Sequence, residues 1–333
     1  MRLGRTTRDR TGARRRGSRG RRTLLAGLIT AALVVPLSAA TRPEVRAPAP
    51  AALAPLTAAT LDEAYTANRA NAARASRMAA ADGDRRRAAA DRSLAGPARH
   101  LLAFDGRGAG LATEVFGDLA HADRVAVVVP GSDTSLDTYA RFHTAASALY
   151  RELTRQATPS TRTAVLAWLG YRTPGTVSAT VLTVGRAEQA APRLRDFVGE
   201  LRRVTGPHTH LALVCHSYGS VVCGRAATGL AVDDLALIGS PGTGADSVAA
   251  LHTPARVWAA RGSEDWVAEV PHVRADLFDT TVGFGTDPVS PAFGARLFGA
   301  ADAGHSGYFT RGSTALANLA RIVLGETSEV TGA

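Results

Sequence analysis

The stretch L-A-L-V-C-H-S-Y-G-S-V-V-C-G, residues 211 to 224, decides how this chain is read. An apolar run, Leu211 to Val214, leads straight into Cys215-His216-Ser217-Tyr218-Gly219, and helix-compatible residues follow at once. An isolated serine hydroxyl is a poor nucleophile. It gains reactivity when a tight, strained turn lifts it clear of the sheet, where a histidine can take its proton and a helix N-terminus favours developing negative charge. Small residues two positions either side of the serine let strand and helix approach closely enough for such a turn. The usual form is G-x-S-x-G; here Cys215 stands where the first glycine belongs. Ser217 is therefore the candidate nucleophile, the bland alternative being a serine that merely caps a helix.

Working outward, short apolar runs alternate with longer helical stretches. His100 to Phe104 and Leu111 to Phe116 read as two hairpin-like strands, and Arg124 to Val129 as a fully buried one. A helix over Leu136 to Ala157 precedes a strand over Thr163 to Leu169. A long helical stretch from about Ala179 to Val204 leads to the strand Thr209 to Val214. Helix Tyr218 to Thr228, strands Leu235 to Ile238 and Arg256 to Ala260, and a last helix from Ser313 to Leu324 follow. Apolar strands alternating with helices predict an α/β fold, a mostly parallel sheet covered on both faces. Residues 96–325 form this domain, with 326–333 as a tail.

Acyl chemistry at Ser217 needs three further parts. Two N–H groups must face the oxygen that becomes negative. The amide after the nucleophile, Tyr218, is one. The polar loop in V-V-V-P-G-S-D-T-S, residues 127 to 135, offers the Ser132 amide as the other, although Pro-Gly can also be an ordinary turn. A carboxylate should follow a later strand, and R-V-W-A-A-R-G-S-E-D-W-V at 256 to 267 supplies Asp265, with Glu264 and Asp246 as alternatives. The base should come last. His305, in A-G-H-S-G-Y-F before the final helix, is preferred over His272 on that ordering. His216 is read as a packing residue pointing away from the site.

Cys215 and Cys223 flank the turn eight residues apart, placed for a disulfide or as two small buried thiols; export would permit the bond. The formal charge of +10 suggests a nucleic-acid partner until it is located. Ten arginines against Asp9 alone in residues 1–22 carry +9 of it, so the folded part is nearly neutral and nucleic-acid binding is not expected. The chain has no lysine. After the basic run, Thr23 to Ala40 carries no charge and ends in small residues, the layout of a secretory signal peptide cleaved after Ala40 or Ala39. R-R-T-L-L at 21 to 25 resembles a twin-arginine signal, and an uncleaved 23–40 segment would tether the protein to a membrane. Residues 41–58 read as an Ala/Pro-rich linker. Residues 59–95 read as one or two surface helices broken near Ala81-Asp82-Gly83-Asp84, a buttress in preference to a lid.

Several extended segments together resemble a bacterial α/β-hydrolase family of unassigned function (DUF1023). They are the Ala/Arg-rich N-terminal helix, F-D-G-R-G at 104 to 108, G-D-L-A-H-A-D-R-V-A-V-V-V-P-G at 117 to 131 and the H-S-Y-G-S turn. G-T-D-P-V-S-P-A-F-G-A-R-L-F at 285 to 298 and G-H-S-G-Y-F complete the set. The resemblance spans roughly residues 60 to 325, with Cys215 as its departure. It implies the α/β-hydrolase fold and a Ser217, Asp265, His305 triad, but no substrate. The expectation is a secreted or envelope-associated serine hydrolase acting on a small or lipid-like acyl substrate, without cofactor or metal. An acyltransferase and a catalytically silent envelope binding protein are the alternatives.

Overall fold

A computed structural model describes residues 45–176, 183–270, 274–277 and 280–332. The expected signal segment, residues 1–40, and His272 lie outside the described residues.

The buried apolar runs become strands: β1 (His100–Asp105), β2 (Leu111–Gly117), β3 (Arg124–Val129), β4 (Thr163–Leu169), β5 (His210–His216), β6 (Asp234–Ile238) and β7 (Arg256–Ala260). Two short pairs that the sequence did not signal complete the set. These are β8 (Arg274–Leu277) with β9 (Thr280–Gly283), and β10 (Arg296–Leu297), which extends the main sheet beside β7. The order β1-β2-β4-β3-β5-β6-β7-β10 is antiparallel at β1/β2 and β2/β4 and parallel from β4 onward.

Alternate residues of each central strand feed opposite cores. Val125, Val127 and Val129 join one face with Leu211, Leu213 and Cys215; Ala126 and Val128 join the other with Ala212 and Val214. Because both faces are covered, these strands read as continuous apolar runs without alternation. The first core is roofed by helices α4 (Gly185–Thr205) and α5 (Gly219–Ala226). The second is roofed by α3 (Tyr139–Gln156) and α6 (Thr314–Leu324). The helix expected from about residue 179 begins at Gly185, and 177–182 are not described.

Strand β3 lies between β4 and β5, so the chain leaves it to opposite sides. Ligands of open parallel sheets gather at the carboxyl ends of the strands flanking such a reversal. Register aligns those ends: Val129 pairs with Cys215, His216 with Ile238, and Ile238 with Ala260.

The N-terminal segment forms α1 (Leu61–Ala81) and α2 (Arg85–Leu94), broken at Asp82-Gly83-Asp84 as the sequence suggested. It packs against edge strand β1. The Asn68 side-chain amide donates to the carbonyls of Leu101 and Leu102, where a bulge interrupts the pairing with β2. An otherwise exposed edge is thereby covered. The helix contributes a face of small residues, Ala64, Ala72, Ala75 and Ala79, all buried. Counting large apolar residues understates such a face, so the expectation of a surface helix needs correction. Buried Arg87 donates to Asp137 and to the carbonyls of Gly106 and Gly108, bracing the β1–β2 turn.

The linker expectation also needs correction over its described part. The Val45 carbonyl accepts from the Gly108 amide and that of Ala49 from the Asn71 side chain, so this stretch is laid down along the fold. The C-terminal tail is likewise held, through Thr331 N–H donating to Asn318 Oδ1 at 3.1 Å.

Candidate active site

Ser217 follows β5 with φ 54°, a left-handed backbone that is uncommon and strained for a residue with a side chain. Its N–H donates to the Ile238 carbonyl at 3.0 Å, which anchors the bend to β6. Gly219 opens α5 where a Cβ would stand 2.6 Å from the Val129 oxygen and 2.7 Å from the Pro130 oxygen. The second glycine of the pattern is thus required by close approach to the end of β3. At the first glycine's position stands Cys215, whose sulfur bonds Cys223 on α5, with the Cα atoms 6.5 Å apart. Both cysteines are fully buried.

His305 reaches this bend from the loop before α6. Its Nδ1 lies 2.9 Å from Asp265 Oδ1 and its Nε2 2.9 Å from Ser217 Oγ. A carboxylate only accepts, so Nδ1 carries the proton and Nε2 is left to accept from the serine hydroxyl. Asp265 is 2 % exposed. Burial pushes its pKa up, but hydrogen bonds from His305, Tyr308 and the Val267 amide outweigh this and hold it below the usual carboxylate value. The alternatives fall away: Glu264 and Asp246 are exposed, and neither bonds His305.

Two residues that the sequence reading set aside or missed complete the cluster. His216 does not point away. Its Nε2–H donates to the His305 carbonyl at 2.7 Å, and its ring lies 4.8 Å from that of His305 and 5.8 Å from that of Tyr308. Burial first, then the neighbouring His305, pushes the His216 pKa down to about 4, so this ring is neutral near pH 7. Tyr308, fully buried, donates its hydroxyl to Asp265 Oδ2. Its only sequence signal is its place three residues after His305.

The loop after β3 closes over the serine. Gly131 has no side chain where a Cβ would stand 2.6 Å from Ser217 Cβ. Tyr171 hydroxyl donates to the Pro130 carbonyl, the Asp133 amide to the Pro174 carbonyl, and the Thr176 amide to the Asp133 carboxylate, so this loop is tied from behind. No group among the described residues accepts a hydrogen bond from the Ser132 or Tyr218 amide. Those donors remain available beside Ser217. The adjoining cavity measures about 570 Å3 and is walled largely by apolar side chains, among them Phe142, Val267, Val270, Phe284 and Phe309. Half-exposed Trp266 sits with its ring 4.6 Å from that of His305. No residue of α1 or α2 lines this cavity; α1 packs instead against β1. Among the described residues no group of three or more His, Cys, Asp or Glu is placed to hold a metal ion.

A family model described as alpha/beta hydrolase matches residues 105–275. Two uncharacterized proteins of Mycobacterium tuberculosis, from strains CDC 1551 / Oshkosh and ATCC 25618 / H37Rv, are each 30% identical over 253 residues, 67% of this chain. The match covers 38% of their own length, so this chain spans well under half of those relatives. Among solved structures, an a/b serine hydrolase without lid from Xanthomonas campestris is 18% identical, with TM-score 0.40, covering 66% of this chain and 88% of that one. Esterase PE8 is 17% identical, with TM-score 0.43, covering 65% and 98% respectively.

Proposed function

Because the chain belongs to the α/β-hydrolase family, we propose that it is a serine hydrolase cleaving carboxylic esters or related acyl bonds through an acyl-Ser217 intermediate. The observation that carries this reading is the continuous relay from Ser217 Oγ through His305 to Asp265, both links 2.9 Å, at the edge of an apolar cavity.

In this reading the Ser217 oxygen attacks the acyl carbon while its proton passes to His305 Nε2. Asp265 stays ionised and favours the imidazolium that forms. The carbonyl oxygen becomes an oxyanion facing the amides of Tyr218 and Ser132. His305 then gives its proton to the departing alcohol oxygen as the tetrahedral centre collapses to the acyl-serine. A water, deprotonated by His305, reverses the sequence and releases the acid. No step calls on a metal or cofactor. The apolar wall favours an acyl or alkyl chain as the part of the substrate it contacts. The partner is thus a small or lipid-like acyl compound and not nucleic acid, the basic charge being concentrated in residues 1–22. The layout of residues 1–40 supports export. Among the described residues no helix is long and apolar enough to cross a membrane.

The test is hydrolysis of p-nitrophenyl esters of increasing chain length by the wild type and by Ser217→Ala. Turnover that vanishes with the hydroxyl supports the proposal. Equal residual rates for the two proteins contradict it and favour a silent binding module.

A further inference from the structure

We propose that Tyr308 is a positioning residue of the Ser217 site, its hydroxyl fixing the Asp265 carboxylate in the orientation that meets His305. The inference rests on the reading of Ser217, His305 and Asp265 as the reacting set.

The argument begins with the accounting of one buried carboxylate. Asp265 Oδ1 accepts from His305 Nδ1–H and from the Val267 amide at 2.9 Å. Among the described residues, Oδ2 accepts only from the Tyr308 hydroxyl. An oxygen at this depth without a donor is costly, and the carboxylate would turn or take up a proton to relieve it. Either change spoils the bond to His305, since the imidazole is aimed by the same group. Gly239 crowds the same pair, since a Cβ there would stand 2.7 Å from Oδ2 and 3.2 Å from His305 Nδ1, so no side chain at that position can serve in place of the phenol.

The phenol is itself fixed at both ends. Its oxygen accepts from the Gly262 amide at 3.2 Å, on the turn that leads from β7 to Asp265. Its ring lies beside that of His216, which grips the His305 carbonyl. A tight turn, the Gly307 amide donating to the Gly304 carbonyl at 2.7 Å, folds the chain so that Tyr308 returns beneath His305. Phenylalanine would fill the same volume, so it is the hydroxyl that marks this role. Tyr308 is not among the residues lining the cavity, so it acts through Asp265 and not on substrate. The titratable and charged groups facing this pair are His305, His216 and Arg261.

The test uses Tyr308→Phe alone and in an Asp265→Asn background, with an activated acyl ester as substrate. The single variant is expected to lose about tenfold in kcat, the scale of one hydrogen bond to a charged group, with KM unchanged. Its acid limb of kcat/KM should move to higher pH. A carboxylate stripped of a donor is less well held in its charged form and takes up a proton at higher pH. A merely structural loss would lower the active fraction and leave that limb in place. In the Asp265→Asn background the same change should cost little more, because the group it acts through is already altered. Wild-type kcat with an unmoved acid limb, or a full second loss in that background, overturns the proposal. If Ser217→Ala is inactive while Tyr308→Phe matches the wild type, only the role of Tyr308 falls. If Ser217→Ala is as active as the wild type, the reading of the site falls with it.

Discussion

His216 donates from Nε2 to the main-chain carbonyl of His305 across 2.7 Å, so the residue just before the elbow serine holds the backbone of the histidine that reaches it. Ser217 and His305 stand far apart in sequence, and this bond joins their two segments directly. Replacing His216 with Phe keeps a ring in the gap and removes the donor. The variant should fold, and its turnover should fall by about 10- to 100-fold, the scale of a misplaced catalytic group. Steady-state kinetics together with a thermal melt check this; an unchanged rate would show that the loop needs no such tie.

The Cys215–Cys223 bond closes a short loop around the bend at Ser217. Because both sulfurs are fully buried, a reductant should act on the native protein only slowly, and rapidly once heat or denaturant opens it. The Cys215→Ala/Cys223→Ala double variant should lose about 2–3 kcal/mol of stability by the loop-entropy scale. Denaturant melts with and without reductant would read this. A wild type as sensitive to reductant as to heat would contradict it.

Gly131 is where the loop after β3 meets the serine. A Cβ there would stand 2.6 Å from Ser217 Cβ, so either the loop or Ser217 must shift. Gly131→Ala should therefore slow acylation by about 100-fold or more, as expected when a donor to the oxyanion is displaced. Stability should change far less, because the loop remains tied through Tyr171 and Asp133. Comparing single-turnover rates with melting temperatures separates the two effects.

Much of this was legible in the sequence, and the reasons differ from element to element. The ends of β3, β4 and β7 match their apolar runs because both faces of each strand are buried, so every residue carries the signal. Strand β10 is two exposed residues, Arg296 and Leu297, and gives no periodicity to read. Ser217 and His305 were placed by motif and chain order, and Asp265 by the turn after β7. The direction of His216 is not legible in sequence, because the pleat of a strand puts neighbours on opposite faces, whereas the left-handed bend at Ser217 breaks that alternation. Tyr308 was invisible, since a tyrosine after S-G looks like any core aromatic until its hydroxyl is located. The small-residue face of α1 was underrated because alanine contributes little to a count of large apolar side chains.

Asp91 in α2 is buried, and neither of its carboxyl oxygens has a hydrogen-bond partner among the described residues. Burial raises its pKa to about 7 despite the nearby Arg87, from an ordinary value of 3.8. The folded protein thus keeps a proton that the unfolded chain releases. Stability is full below pH 3.8 as far as this group is concerned, and is lost as pH rises through about 7. Asp91→Asn should leave stability unchanged near pH 4 and raise it at about pH 8, by an amount on the order of a few kcal/mol. Urea melts at the two pH values check this, and an equal effect at both would contradict it.

The most direct test of the central claim is mass spectrometry of the folded protein after exposure to a fluorophosphonate, with the adduct mapped by peptide. A serine engaged by His305 Nε2 at 2.9 Å should be phosphonylated at Ser217 and nowhere else, and the adduct should be absent from Ser217→Ala. Folded wild-type protein that takes no adduct, or an adduct that persists in Ser217→Ala, would contradict the account.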